Sequence, residues 1–281
     1  MPGGTGLAHA VRTATRPGLT RDLPYGPEDL RWVANSATLI LGDHDAVLVD
    51  TYLSVDQNAE LVEWVRSFGR DLTHVFVTHG HGDHFFGLRQ LLDAFPGARA
   101  VASAGTAREA LVRGQVEAHD GSWGRLFPGQ IPQISYPAAL DGDHLALEGH
   151  RLEVIETGFT DTRDTTALWV PDLGLVVAGD VAYNDAHQHT AETTAATREQ
   201  WARAAERLGE LDPVAVVAGH KKPDAPDRPA ILAQTAAYLR AFDAVVEVSR
   251  TPRDVYDRML SLYPRRANPG ALWSSARAAM A

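Results

Sequence analysis

The feature that most constrains this chain is residues 79–84, which read His-Gly-His-Gly-Asp-His and directly follow the apolar run Val75-Phe76-Val77. The apolar run predicts a buried strand. Neutral imidazoles and carboxylates are the usual ligands of zinc and similar divalent metals. The two glycines permit unusual backbone angles, so the loop can curl until its side chains converge. The segment therefore predicts a metal site at the end of a buried strand.

Strand and helix patterns alternate along the rest of the chain. The predicted strands are residues 38–41, 46–50, 75–78, 99–102, two within 145–155, then 167–170, 175–178 and 214–218. The predicted helices are residues 54–68, 84–95, 105–116, 198–208 and 229–248, with a long loop at 119–137. Two halves that each mix strands and helices fit an α/β protein, an αββα sandwich of two mixed β-sheets with helices outside. In such layouts ligands gather beyond the carboxyl ends of strands.

Composition narrows the classes of function. The 281 residues contain no cysteine, which excludes thiolate ligands and a cysteine nucleophile. A net charge of −10 argues against nucleic acid as a partner. No apolar run approaches the ~20 residues of a membrane span, and the N-terminus lacks a basic start followed by an apolar stretch. We therefore expect a cytoplasmic protein with a small-molecule substrate and no membrane partner; a homo-oligomer stays open.

Three further apolar runs end in a residue that could bind a metal ion, as the run before residue 79 does. They are Val47-Leu48-Val49-Asp50, Val176-Val177-Ala178-Gly179-Asp180 and Val216-Val217-Ala218-Gly219-His220. With the His-rich segment, and in this order, they resemble the metallo-β-lactamase fold superfamily, which includes glyoxalase II and lactonases. The resemblance runs from about residue 32 to 223. We expect a core at residues 31–226, an N-terminal extension at 1–30, and a C-terminal helical extension at 227–281 packed on the core.

The resemblance implies a set of metal ligands and one catalytic residue. The implied ligands are His79, His81, Asp83, His84, Asp180 and His220. By the same resemblance Asp180 is shared between two metal sites, and Asp83 is catalytic because it also helps to hold the attacking hydroxide. Zn²⁺ is the expected metal, and iron or manganese stays open because histidine and carboxylate sites serve these metals too. Asp50 is expected to orient a ligating histidine; a turn aspartate is the alternative.

One piece departs from the family pattern. Where the family places a Gly-His-Thr turn that supplies the third histidine of metal site 1, this chain has Gly158-Phe159-Thr160. Phenylalanine has no lone pair to donate, so the resemblance implies a weakened site 1 and a complete site 2. Asp161, two positions further on and on the same side of an extended chain, is the nearest replacement. Its alternative is a turn or capping aspartate.

Four residues are predicted to line the substrate pocket. They are Phe159, Tyr183, His187 and Lys221. Each has an ordinary alternative: an apolar ring filling space, a buried tyrosine with a satisfied hydroxyl, a loop histidine, and a solvated lysine.

The predicted reaction follows from the metals. A bound divalent cation lowers the pKa of water toward ~7 and polarises a carbonyl oxygen. The chain is therefore predicted to be a metal-dependent hydrolase of an ester, lactone, thioester or amide bond in a small organic molecule. The alternative is a degenerate or non-hydrolytic member of the family, which would catalyse a metal-assisted rearrangement or iron-dependent redox chemistry, or only bind a ligand. Phe159 favours this alternative because it replaces the expected third histidine of site 1.

Overall fold

A computed structural model of the protein describes residues 6–18, 22–120 and 122–281, except that the side chains of residues 117–122 are not described. The expectation that no leader precedes the core depended on the first six residues, of which residues 1–5 lie outside the described residues. Residues 19–21 of the predicted N-terminal extension lie outside them as well.

Each predicted strand is present in the described chain, but the strands at residues 8–17 and 138–139 were not predicted and several strands are longer than their predicted runs. The strands are β1 (Ala8–Pro17), β2 (Trp32–Leu41), β3 (Asp45–Val49), β4 (Asp71–Phe76), β5 (Arg99–Ala102), β6 (Ala138–Ala139), β7 (His144–Leu147), β8 (His150–Gly158), β9 (Thr165–Val170), β10 (Leu175–Asn184) and β11 (Ala215–Lys221). Two differences matter for the site. β10 and β11 continue through Asp180 and His220, so these residues lie within strands rather than just after them.

The helices also lie near their predicted positions. They are α1 (Val55–Arg66), α2 (Gly82–Phe85), α3 (Leu88–Ala94), α4 (Ala104–Asp120), α5 (Ser122–Leu126), α6 (Ala195–Gly209), α7 (Ala230–Glu247), α8 (Pro252–Leu262) and α9 (Pro269–Ala279). Ser54 caps α1 by accepting a hydrogen bond from the N–H of Gln57, as its position predicts. The long loop predicted at 119–137 is wrong in part, because α5 lies within it.

The single helix predicted at 84–95 is two helices, α2 and α3, separated near Gly87. The side chain of Asn58 approaches the backbone there so closely that a Cβ on Gly87 would lie 2.1 Å from Asn58 Oδ1. The N–H of Gly87 donates to Thr51 Oγ1 at 3.1 Å. The packing of α1 and its preceding loop therefore ends the first helix, which a helical sequence pattern cannot reveal.

The strands form one hydrogen-bonded sheet in the order β6-β5-β4-β3-β2-β11-β10-β9-β8-β7, with β1 beside β2. Parallel pairs, such as β3 with β4 and β10 with β11, occur with antiparallel ones, so the sheet is mixed. Its two halves join where Asn35 of β2 pairs with His220 of β11. The two predicted sheets are thus continuous at this junction.

Alternating side chains show that the two halves pack face to face. Ile40 and Phe76 of one half form a buried cluster with Leu168 and Val177 of the other. The neighbouring residue Val176 points the opposite way along β10, as strand geometry requires, and packs in a second cluster. Every strand buried on both faces must be apolar on both faces, which explains the continuous apolar runs.

Helices cover the outer face of each half. Leu61 of α1 and Leu91 of α3 pack on one half, and Trp201 of α6 and Leu239 of α7 pack on the other. The architecture is therefore the predicted αββα sandwich, and the fold class is confirmed. A further cluster joins α7 to α8 and α9 around Phe242, and among the described residues every helix is too short or too polar to span a bilayer.

A carboxylate ties the two halves together at the edge opposite the polar loops. Glu148, in the turn between β7 and β8, accepts hydrogen bonds from the backbone N–H groups of Asp43, His44 and Asp45 at 2.7–2.8 Å. Asp43 and His44 lie in the turn between β2 and β3, and Asp45 is the first residue of β3. The N–H groups of Asp45, His44 and Asp43 lower the pKa of Glu148 from 4.5 to about 2.

We predict that Glu148→Gln lowers the thermal unfolding midpoint at pH 7, whereas Glu156→Gln, on the exposed side of β8, leaves it unchanged. The folded-state pKa of Glu148 lies below its unfolded value, so the stabilisation is fully present above about pH 4.5 and is lost as the pH falls through about 2. The difference in midpoint between wild type and Glu148→Gln should therefore shrink as the pH is lowered. A difference that stays constant down to low pH would contradict this account.

Candidate metal centre

Three distant segments bring the six predicted ligands into one cluster. His84 Nε2 lies 3.3 Å from Asp180 Oδ1, and His220 Nε2 lies 3.2 Å from Asp180 Oδ2. His220 Nε2 also lies 3.7 Å from Asp83 Oδ2. The ring centroids of His79 and His81 are 5.0 Å apart, and those of His79 and His84 are 4.2 Å apart. The structure thus places all six side chains within one volume the size of a small metal cluster.

Local backbone geometry makes this convergence possible. The loop after β4 turns directly into α2, whose first turn carries Asp83 and His84, so the chain reverses over its own ligands. On the other side, Asp180 Oδ1 lies where a Cβ on Gly219 would approach it to 2.1 Å. Glycine at 219 therefore lets the Asp180 carboxylate lie across β11 and face the histidines.

Asp161 completes the first group of donors. His79, His81, Asp161 and Asp180 each offer a ligand atom, and these atoms lie within 4.8 Å of one another. Asp161 Oδ2 lies 2.8 Å from His81 Nδ1 and 3.7 Å from His79 Nε2, and the Asp161 side chain is fully buried. A second group within the same limit contains Asp83, His84 and His220, and a third contains Asp50, His79 and His84.

Phe159 does not occupy the position that the sequence pattern assigned to it. Its side chain is only half-buried, and it is not among the described residues that line the cavity beside the cluster. The buried carboxylate of Asp161, the nearest replacement that the sequence offered, lies within 4.8 Å of the other donor atoms of the first group. That site 1 is the weaker site stays a prediction.

The hydrogen-bonding state of the buried donors fits a bound cation. Buried polar atoms normally have partners, and those without one require an explanation. Among the described residues, His79 Nε2 and Asp180 Oδ1 are buried and have no hydrogen-bond partner, and the buried Asp161 Oδ2 contacts His81 Nδ1 and His79 Nε2, two other potential ligands. All three belong to the first donor group. A divalent metal ion is the partner that two carboxylate oxygens and an imidazole nitrogen could bind together.

The second nitrogen of each imidazole faces a fixed partner on the outer side of the cluster. For His84, Asp50 Oδ2 lies 2.9 Å from Nδ1, and Asp50 is held in turn by the N–H and hydroxyl of Thr78 at 2.8 Å. This is the orienting geometry expected of Asp50. The other outer contacts are Thr78 Oγ1 with His79 Nδ1 at 3.0 Å, Glu192 Oε1 with His81 Nε2 at 3.1 Å, and the Ala34 carbonyl with His220 Nδ1 at 2.9 Å. Each histidine thus turns its remaining nitrogen inward.

Burial and charge set the protonation of the cluster. Burial, with a smaller contribution from His84, lowers the pKa of His79 to about 4, which leaves its imidazole neutral with a lone pair to donate. Burial alone would raise the pKa of Asp161, but His79 and His81 outweigh it and hold that pKa well below the ordinary range. This pair therefore presents an ionised carboxylate beside a neutral imidazole, which is the state that metal binding needs. Burial alone would lower the pKa of His81, His84 and His220, but the neighbouring carboxylates outweigh it and raise all three, so a metal ion bound by these histidines would displace protons from them.

A cavity of about 190 Å³ opens beside the cluster. Its lining mixes ligands with charged and apolar groups: Arg16, Val33, His81, Gly82, Asp83, Arg113, Trp123, Asp180, Tyr183, His189, Glu192, His220, Asn268, Gly270, Ala271 and Ser274. Tyr183, one of the four predicted pocket residues, is among them.

Two other predicted pocket residues, besides Phe159, face elsewhere. His187 is fully buried with Nδ1 2.9 Å from the Tyr238 hydroxyl, because α7 packs over the segment that carries it. Lys221 forms a buried ion pair with Asp227, beyond the end of β11. Both predictions are corrected: these side chains are engaged in packing α7 and the following loop, and neither lines the cavity.

Sequence reasoning missed Arg16 and Glu192, and it weighed His189 as a pocket residue against an ordinary surface histidine without selecting it. Arg16 reaches the site from β1, in the extension that carried no family signature. Glu192 contacts His81 and is held by Arg113, and His189 lines the cavity with its ring 6.0 Å from that of His81. The pair His189 and Glu192, three positions apart, was the available signal. Loop residues of this kind are ordinarily solvated, so the signal is weak.

We predict that Asp161→Asn removes or weakens one bound metal, because it replaces a buried anionic ligand with a neutral amide. Loss of an outer-shell partner alone costs about 10–100-fold in metal affinity, so losing a ligand should cost at least as much. The measurement is metal stoichiometry by mass spectrometry after removal of free metal. Asp164→Asn is the matched control, since Asp164 lies in the same loop and pairs with exposed Arg108.

The companion variant is Phe159→His. With Phe159 outside the cavity lining, the new imidazole should add no further metal. A gain of one metal in Phe159→His, with no loss in Asp161→Asn, would show that position 159 and not position 161 faces site 1.

Comparison with known proteins gives one matching family and several solved structures with the same fold. The family model of the metallo-beta-lactamase superfamily matches residues 30–220. A hydroxyacylglutathione hydrolase from Parasynechococcus marenigrum is 28% identical over 237 residues, which cover 81% of this chain and 81% of the relative.

Solved structures are similar in fold at low sequence identity. A metallo-β-lactamase family protein from Thermus thermophilus is 22% identical with a TM-score of 0.60, covering 96% of this chain and 91% of its own. A metallo-β-lactamase from Pontibacter korlensis is 19% identical with a TM-score of 0.60, covering 83% of this chain and 94% of its own.

Proposed function

This chain belongs to the metallo-β-lactamase superfamily and is a metal-dependent hydrolase, and we propose that it cleaves a thioester or ester bond in a small organic molecule. The observation that carries the proposal is the convergence of buried donor atoms of His79, Asp161 and Asp180 beside a cavity of about 190 Å³; of these atoms, His79 Nε2 and Asp180 Oδ1 have no hydrogen-bond partner among the described residues. Donors that converge beside a cavity can hold a metal where a substrate can reach it.

The bond class is supported by the relative and by the composition. The relative from Parasynechococcus marenigrum is named for hydrolysis of hydroxyacylglutathione, a thioester. This chain has no cysteine, so an acyl group cannot be transferred to a thiolate of the enzyme before hydrolysis. Direct attack of water on the carbonyl carbon is the route that the side chains support best.

A divalent metal ion held by this cluster would supply a water molecule with a pKa near ~7 and would polarise the carbonyl oxygen. Asp83 lines the cavity and can accept a hydrogen bond from the attacking water. Burial raises the pKa of Asp83, but His84 and Arg16 outweigh burial and hold it well below the ordinary range. Asp83 therefore stays ionised and faces the substrate as an acceptor.

Tyr183 and His189 have separate roles at the cavity wall. Burial and Asp180 raise the pKa of Tyr183 well above its ordinary value, so its phenol stays protonated and donates to Asp180 Oδ2 at 2.6 Å. Tyr183 thus positions Asp180. Burial, with a contribution from His81, lowers the pKa of His189, so its imidazole is neutral at pH 7 and can accept a hydrogen bond from the substrate or a proton from the attacking water.

The alternative of a degenerate member depended on Phe159 removing a ligand. The buried carboxylate of Asp161, within 4.8 Å of the other donor atoms of the first group, is the ligand that we propose in its place. Iron-dependent redox chemistry remains the second candidate, favoured by a first donor group of two histidines and two carboxylates without sulfur.

The proposal predicts that purified protein hydrolyses an S-acylglutathione or a phenyl ester, that a chelator abolishes the activity, and that one added divalent metal restores it. The substrate panel also contains lactones and simple amides, to which the proposal assigns lower kcat/KM. Asp83→Asn should reduce kcat/KM by on the order of a hundredfold or more, since metal-site charge stabilisation is worth several kcal/mol. Asp93→Asn, on the exposed surface of α3, is the control.

Two results would reject the proposal. Metal-loaded, folded protein that hydrolyses no member of the panel would exclude the bond classes named here. Protein purified without added metal that contains iron and consumes oxygen with a reductant would favour the redox alternative.

A further inference from the structure

The N-terminal strand delivers a buried cation to one of the metal ligands. Arg16, near the end of β1, places its guanidinium 2.7 Å from Asp83 Oδ2, across 67 positions of sequence. The Arg16 side chain is only 5% exposed, and its guanidinium lies 5.7 Å from the centre of the Phe127 ring. Arginine keeps its charge in proteins, so this is a permanent positive charge beside the cluster.

The same carboxylate oxygen has a second protein donor. Asn35 Nδ2 lies 2.9 Å from Asp83 Oδ2 and 3.4 Å from His84 Nε2. Asn35 is the residue of β2 that pairs with His220 at the junction of the two sheet halves, which fixes its backbone. Protein groups therefore already contact two of the three donors of the second group.

The two donor groups consequently differ. In the first, His79 Nε2 and Asp180 Oδ1 have no hydrogen-bond partner among the described residues, and Asp161 Oδ2 contacts His81 and His79, which are donors of the same group. In the second, Asp83 Oδ2 accepts from Arg16 and Asn35. A cation entering the first group satisfies atoms that lack partners, whereas one entering the second must share or displace existing bonds.

We propose that Arg16 makes the second metal site, formed by Asp83, His84 and His220, the weaker of the two. The site completed by Asp161 then holds the tight metal, and the Arg16 guanidinium supplies the second positive charge at the cavity. A divalent ion bound to Asp83 Oδ2 lies within a few ångströms of the guanidinium, and like charges that close repel strongly in a buried site. This order is the reverse of the one expected from Phe159.

Arg16 differs in this respect from its neighbour on the strand. Arg12 lies four positions earlier, on the same face of β1, and also forms an ion pair, with Glu60 at 2.6 Å. The Glu60 side chain is 67% exposed and is not a member of any donor group. Arg12 is therefore a matched control for losing an arginine ion pair from β1.

The inference rests on the metal centre of the proposed hydrolase, but its test counts metals and needs no substrate. Metal-depleted full-length protein is titrated with Zn²⁺ against a chromophoric chelator, and bound metal is counted by mass spectrometry. We expect one tight ion and a second bound at least about tenfold more weakly, since partners of a ligand change metal affinity by about 10–100-fold. Asp161→Asn should remove the tight ion and Asp83→Asn the weak one.

Arg16→Gln removes the charge and keeps an amide donor. We expect it to tighten the second site by about tenfold or more without changing the first, and Arg12→Gln to change neither. Wild-type protein with two equally tight ions would overturn the proposal, and that measurement needs no variant. A second site weakened in Arg16→Gln would also overturn it, because Arg16 would then be orienting Asp83 as a ligand. If the protein binds metal as expected but hydrolyses none of the substrates, the proposed hydrolase function is rejected and the proposed role of Arg16 is not.

Discussion

The metal centre depends on the junction at which β2 meets β11. Asn35 pairs with His220 there, and this pair joins the two halves of the sheet. The junction also fixes the carbonyl of Ala34, which lies 2.9 Å from His220 Nδ1 and turns Nε2 of that imidazole toward Asp180. The first half contributes the potential ligands on the loop after β4, and the second half contributes those on β10 and β11. They lie in one cluster because β2 and β11 are neighbouring strands at this point.

Around that junction each imidazole has one nitrogen that faces the centre of the cluster and one that faces outward. The outward nitrogens lie against fixed acceptors such as Asp50 and Glu192. Because the cluster is buried, each outer contact both fixes a ring and determines which nitrogen carries the proton. The N-terminal strand adds a feature of another kind: Arg16 brings a permanent positive charge against Asp83, whereas the groups that face the outer nitrogens of the imidazoles are acceptors. The result is two neighbouring groups of potential ligands that are similar in composition and lie in unequal electrostatic surroundings.

Much of the fold could be predicted from the sequence because apolar periodicity reports burial directly. The run around Val176 and Val177 indicated a strand buried on both faces, and it packs in the two clusters that this requires. The prediction of helix boundaries failed where tertiary contacts override the local sequence pattern. Asn58 packs against Gly87 and divides one predicted helix into two, and α5 occurs in a stretch rich in glycine and proline.

The sequence by itself determined the identity of most ligands, since His-Gly-His-Gly-Asp-His carries its chemistry within six adjacent positions. It also located Asp180 and His220, each at the polar end of an apolar run. Only the tertiary structure placed Asp161 among the donor atoms and left Phe159 outside the cavity lining, because a two-residue difference in a turn depends on how the backbone of that turn is held. Only the tertiary structure revealed Arg16, because an ion pair across 67 positions leaves no local pattern in the chain and arises from the pairing of β1 with β2.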